Sequence, residues 1–372
     1  MSSELKPLTS LRFFAAAAIV LHHLQGVLWI GAGQLYPFSF GSSVSFFFIL
    51  SGFILYYSYN SRFEKMSWIK FFIQRFMRLW PAHVFIIFMS AIWIQIPLIN
   101  FHTERQTFPE ILQILFLLQA WSQKSIVFWG LNGPSWSISV ELFFYACFPL
   151  AMVLVVRFGA LALLAVAFAV TALWIGFAES YLFDPAEPLS ALALGYIFPL
   201  ARIGEFFSGI ALGYVFVKYL SNFDQGSRLV WTLVECVAIA FSIYTIGNLS
   251  SFSALSLSWG FGPVFVQWVG SSSGIFSFAL TILVFAKSRG FISFLLSTGP
   301  LVFLGRISFA TYLVHQPLIY HWLREVDPVQ QSTAISIFGY ILVVFALSYL
   351  IYRYIEIPGI YLGRKISGFI TR

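Results

Sequence analysis

Residues 8–28 read LTSLRFFAAAAIVLHHLQGVL. At 1.5 Å of rise per residue, this apolar run is long enough to cross the roughly 30 Å hydrocarbon core of a bilayer as one helix. It carries Arg12 and His23 inside what should be lipid-buried helix. Eleven residues of α-helix close to within about 20° of a whole number of turns, so both side chains share one face, about 16 Å apart along the axis. His22 points about 80° away from that face. A guanidinium and an imidazole on one buried stripe are costly in lipid and mark a candidate functional site.

The rest of the chain has the same character. Of 372 residues, 59% are hydrophobic and only 9% charged, where a soluble domain carries about 25% charged residues. Mean hydropathy is +0.86. The composition predicts an all-α polytopic membrane protein and excludes a soluble enzyme. Ten spans are expected, over 8–28, 42–59, 79–98, 135–156, 160–178, 198–219, 229–247, 264–286, 299–320 and 332–352. The run 111–121 is too short to cross and reads as an interfacial or re-entrant helix on the outer side. Residues 248–262, rich in Ser and Gly, read as an outer loop.

Basic residues orient the spans. With the N-terminus inside, fifteen of the 21 Lys and Arg residues fall at cytoplasmic ends, and only Arg105, Lys124 and Arg324 fall outside. Both termini are therefore expected in the cytoplasm. The outer segments include Glu104, Glu110, Glu179, Asp184, Glu187, Glu325 and Asp327. Topology accounts for the net charge of +7, so no nucleic-acid partner is expected. The two cysteines, Cys147 and Cys236, form neither a disulfide framework nor a metal-ligand spacing, and no metal is expected. Residues 8–28 lack a signal-peptide cleavage site.

The remaining intramembrane polar groups are few. His23 is the best general-base candidate, because imidazole accepts a hydroxyl proton near neutral pH; the plain alternative is a histidine bonded between helices. Ser137, Glu141 and Tyr145, in GPSWSISVELFFYACFP (133–149), follow at i, i+4 and i+8 as one polar stripe. Glu141 could orient His23 or balance Arg12, or form a structural pair in the bundle. Arg75 and Arg78, in RFMR, project to one side at the cytoplasmic start of the third span. With neighbouring Lys70 they suit a phosphorylated or carboxylate ligand arriving from the cytoplasm, or serve as ordinary positive-inside anchors. Arg202 and Glu205 are three apart and read as a structural pair. His315 reads as an interfacial histidine near the outer end of the ninth span, and Glu235 has no evident partner.

Several stretches, in order, resemble a known family. These are Arg12 with ten residues before His23, SVSFFFILSGFIL (43–55), RFMR (75–78) followed by LWPAHVF, NGPSWSISVELFFYACFPL (132–150), ARIGEFFSGIALG (201–213) and FLGRISFATYLVHQPLI (303–319). Together they are similar to membrane-bound acyltransferase family 3, the bacterial inner-membrane O-acyltransferases. The chain departs from that pattern at Ser43, where the family usually has Gly, and at Ser45, where it usually has an acid.

The resemblance implies one acyltransferase membrane domain over residues 1–372, with no appended soluble domain. It implies transfer of an acyl group, acetyl foremost, from cytoplasmic acyl-CoA to a hydroxyl of an extracytoplasmic or lipid-linked glycan. By motif match it points to His23, Arg12, Arg75 and Arg78. The expected co-substrate is acyl-CoA, with Lys70, Arg75 and Arg78 at the donor. His23 would act as base or acyl relay, and Glu141 as its orienter or as counter-charge to Arg12. Two other classes stay open from the residues: a transporter or flippase of a lipid-linked sugar or acyl carrier, and a membrane sensor or scaffold. Within the enzyme class, succinyl or longer-chain donors also fit. The acceptor and the oligomeric state are not readable.

Overall fold

In a hydrocarbon environment the peptide groups of an apolar run have no water to bond, so each segment must close its hydrogen bonds internally. The described residues do this almost entirely with helix. A computed structural model describes residues 4–28, 39–92, 106–222, 226–326 and 334–370, and no strand occurs among them. The principal helices are α1 (Lys6–Leu28), α2 (Ser43–Tyr59), α3 (Trp68–Ile92), α4 (Phe108–Leu115), α5 (Trp136–Tyr181), α6 (Pro199–Val215), α7 (Arg228–Ser258), α8 (Pro263–Ser272), α9 (Ile275–Ala286), α10 (Gly299–Glu325), α11 (Ala334–Ile351) and α12 (Ile357–Ile370).

Seven helical stretches among the described residues are long and apolar enough to cross a membrane. One of them, Gly133–Tyr181, covers two of the ten expected spans. The break falls at Gly159, whose φ of 87° a side chain would disfavour. α3 and α10, which carry Arg75, Arg78, Arg306 and His315 within them, are not among the seven.

Three boundaries differ from expectation. α3 starts at Trp68, so Arg75 and Arg78 lie inside the helix rather than at its start. Residues 248–258, expected as loop, continue α7. Its hydroxyls bond back onto the helix, Thr245 to the Phe241 carbonyl, Ser256 to Ser253 and Ser258 to Leu255, each at 2.8 Å. Serine and threonine thus keep their polarity inside the helix instead of breaking it. Beyond the tenth expected span, helix runs on to Ile370. The outer end of the third expected span (93–98), Glu104, Arg105, Asp327, residues 332–333 and Arg372 lie outside the described residues.

The chain divides into two compact units. One comprises Met1–Ala18, Pro37–Lys65 and Cys147–Arg306; the other comprises Ile19–Tyr36, Met66–Ala146 and Ile307–Arg372. In the first, an aromatic core of Phe46, Phe53, Phe216, Phe278 and Phe285 is packed with Leu8, Ile49 and Ile282. α2 and α6 approach at backbone distance. A Cβ added at Gly52 would collide with the Phe206 carbonyl, and one at Gly209 with the Ile49 carbonyl. Small residues permit this contact, which in lipid is a main source of helix association. Gly209→Val is therefore expected to lose most of the folded protein. The check is monodisperse yield in detergent; a yield and melting temperature equal to the parent would contradict the close approach.

Acids in this unit cap helices. Glu235, fully buried, accepts from the backbone N–H of Gly290 (2.9 Å) and Ile292 (3.0 Å) and from the Ser293 hydroxyl (2.5 Å). It thereby satisfies the free donors at the start of the helix Phe291–Leu296. Glu179 does the same for α8 through Val264 N–H at 2.9 Å. Near the N-terminus, Arg306 donates to Glu4 at 2.8 Å and holds that carboxyl below its usual range.

In the second unit α3 and α12 pack closely, with Gly359 against Met77 and Pro81 and a 3.0 Å bond from Gln74 to Ser367. The short α4 is pinned at its C-terminal end. Trp80 Nε1 donates to the Leu115 carbonyl (3.0 Å), and His83 Nε2 to the Ile114 carbonyl (2.8 Å). At the other end of α4 the Thr107 backbone N–H, and then Lys124 at 3.0 Å, hold the Glu110 carboxyl below its usual range. A core of Ile87, Ile114, Ile126, Val127 and Leu131 lies beneath.

Candidate active site

α1 is unbroken from Lys6 to Leu28, so Arg12 and His23 occupy one continuous helix, as the spacing requires. Both are half-buried, whereas His22 is exposed. His23 Nδ1 lies 3.0 Å from the Ile19 carbonyl and 3.0 Å from Nε2 of His315. The two imidazole rings are 5.0 Å apart between centroids. The imidazole that meets His23 is His315, which is fully buried.

His315 is held by a local disruption of α10. Pro317 has no N–H, which leaves the Leu313 carbonyl without its helical donor. The Asn132 side-chain amide supplies one instead, at 3.1 Å. Tyr312, one turn before His315, donates to the Pro134 carbonyl at 2.8 Å and lies 2.6 Å from the Ser137 hydroxyl. Tyr340 on α11 donates to the His315 carbonyl at 3.0 Å. Ser137 of the polar stripe thus serves this wall of the site.

The stripe's other two members serve a different neighbour. Glu141 accepts from the Tyr145 hydroxyl at 2.5 Å, the i, i+4 contact the spacing predicts. Arg75 lies over both the Phe71 ring (5.6 Å) and the Tyr145 ring (5.9 Å). Glu141 is thus linked through Tyr145 to the neighbourhood of Arg75 on α3. Arg75 and Arg78 are half-buried and Lys70, nearer the start of α3, is exposed.

The Arg202–Glu205 pair forms as expected, at 2.9 Å and fully buried. Arg202 also donates to Ser45 (2.8 Å), Ser271 (2.8 Å) and Ser272 (3.1 Å). Ser45, one of the two departures from the family pattern, is thus a direct partner of this arginine. Among the described residues no three His, Cys, Asp or Glu side chains are grouped to hold a metal ion.

Helices of this length and apolarity, several carrying polar and charged side chains within them, define a polytopic α-helical membrane protein. Residues 7–353 match the acyltransferase 3 family, described as an acyltransferase domain, and the chain belongs to that family. It is 31% identical over 235 residues to acyltransferase MdmB of Streptomyces mycarofaciens, covering 57% of each chain. It is 27% identical over 327 residues to YrhL of Bacillus subtilis (strain 168), covering 84% of this chain and 48% of that one. It is 25% identical over 384 aligned positions to O-acetyltransferase OatA of Staphylococcus aureus (strain NCTC 8325), covering 98% of this chain and 58% of that one. The chain thus spans about half the length of these relatives. No solved structure matches it.

Proposed function

We propose that this protein is a membrane O-acyltransferase that moves an acyl group, acetyl foremost, from acyl-CoA on the cytoplasmic side to a hydroxyl of an extracytoplasmic or lipid-linked glycan, at a bacterial inner membrane. The observation that carries the reading is the state of His23. Its Nδ1 faces a carbonyl at 3.0 Å. A carbonyl only accepts, so Nδ1 holds the proton and Nε2 carries a lone pair. Family membership supplies the reaction class, and the name O-acetyltransferase borne by the relative OatA supports an acetyl group and an oxygen acceptor.

In this reading His23 Nε2 takes the proton of the acceptor hydroxyl. The oxygen attacks the thioester carbonyl, the C–S bond breaks, and the departing thiolate takes the proton back from the imidazolium. Arg12 lies toward the donor side of the same helix face. Arg75 and Arg78, one helical turn apart on α3, hold the phosphates of the donor with Lys70. Tyr145, bonded to Glu141, lies against Arg75 and holds it in place.

Arg75→Ala and Arg78→Ala are each expected to raise the KM for acetyl-CoA at least about tenfold, since a hydrogen bond to a charged group is worth about 1.5–3 kcal/mol. Equal donor KM in the parent and both variants would remove the arginines from the donor site. At the level of the cell, deleting the gene should remove acetyl esters from an envelope glycan, and restoring it should return them. Unchanged esters would contradict the reading.

A further inference from the structure

The two rings of the histidine pair constrain each other. His315 Nδ1 lies 2.7 Å from the Tyr312 carbonyl, so that nitrogen carries the ring's proton. A neutral imidazole has one proton, so His315 Nε2 presents a lone pair, and it is directed at His23 Nδ1, 3.0 Å away. His23 Nδ1 must therefore donate to both neighbours. The two contacts demand the same tautomer of His23, with Nε2 bare.

The Ile19 carbonyl alone is a weak anchor for that ring. In a helix it already accepts from the backbone N–H of residue 23, four positions on. His315 Nε2 is an undivided acceptor on a side chain with no exposure to solvent. It is also fixed in place by Asn132 at the Leu313 carbonyl and by Tyr340 at the His315 carbonyl. When His23 gains a proton at Nε2, its Nδ1–H becomes a charged donor, and the bond to His315 roughly doubles in strength. An interaction stronger in the charged state than in the resting one lowers the barrier, not merely the ground state.

We infer that His315 is a positioning residue that acts through His23, fixing its tautomer and stabilising the imidazolium formed during transfer. This is the part a carboxylate plays in a Ser-His-Asp triad, here taken by a neutral ring. The inference rests on His23 being the base of the proposed function.

The test compares replacements that keep or remove the acceptor. In His315→Gln the amide oxygen can reach the place of Nε2; His315→Leu has no acceptor, and His315→Asn keeps a donor near Nδ1 but reaches no further. His315→Leu and His315→Asn are expected to lower kcat about 10²-fold or more, toward the roughly 10⁴-fold seen when a triad histidine is left in the wrong tautomer. The KM for acetyl-CoA should stay within about twofold, because the donor contacts are untouched. His315→Gln should recover kcat to within about tenfold of the parent, since it restores the one hydrogen bond at issue.

¹⁵N-histidine spectra of the full-length protein in detergent, assigned with His23→Ala, should show His23 protonated at Nδ1 and bare at Nε2. In folded His315→Leu or His315→Asn they should show a mixture. Equal loss of kcat in His315→Gln and His315→Asn, or a His23 spectrum unchanged in His315→Asn, would overturn the inference. If the parent transfers no acyl group the proposed function falls, and the tautomer of His23 with and without the His315 acceptor still decides this inference.

Discussion

His23→Ala is expected to cut acyl transfer by about 10²–10⁴-fold, the range that a positioned general base contributes. The loss should appear in kcat, with the KM for acetyl-CoA close to the parent, because the proposed donor contacts lie on α3 rather than on α1. Folding should survive. His23 is half-buried, and among the described residues its ring bonds the Ile19 carbonyl and His315. His22→Ala is the matched control. Its ring is exposed and lies off the face shared by Arg12 and His23, so activity should stay near the parent. A His22→Ala protein that loses activity as His23→Ala does would move the chemistry off that face.

The second large effect is on stability. Arg202 and Glu205 are 0% and 1% exposed and 2.9 Å apart, and three serine hydroxyls converge on the same guanidinium. Arg202→Leu leaves the carboxylate buried without its cation, and it should cost about 3–5 kcal/mol. The double variant Arg202→Met with Glu205→Leu should be closer to the parent than Arg202→Leu, since replacing both charges with apolar groups removes the uncompensated one. Denaturant unfolding in detergent reads both. A single variant as stable as the parent would mean that the pair is not desolvated as the burial indicates.

How far the sequence discloses this site depends on the distance along the chain between partners. Arg12 and His23 share a helix, so periodicity alone aligns them. Arg202 with Glu205 and Glu141 with Tyr145 are one turn apart, and their contacts follow from the same geometry. His315 meets His23 across 292 positions, and no local pattern announces that. The one available signal was Pro317, which frees the Leu313 carbonyl and marks a place where α10 must be held by another segment. Glu235 lacked an evident partner because its partners are backbone N–H groups at 290 and 292 and a serine at 293, which residue types do not advertise. Residues 248–258 read as loop because Ser signals turns in water. In α7 the same hydroxyls bond back to the helix.

The central claim is that His23 catalyses acyl transfer from acyl-CoA, and labelled donor tests it most directly. Membranes carrying the parent protein or His23→Ala are incubated with acetyl-CoA labelled in the acetyl group, and covalent label is counted on the envelope glycan fraction. The account predicts label on the glycan with the parent and about 10²-fold less or lower with His23→Ala. Equal covalent label from the two membranes would contradict it.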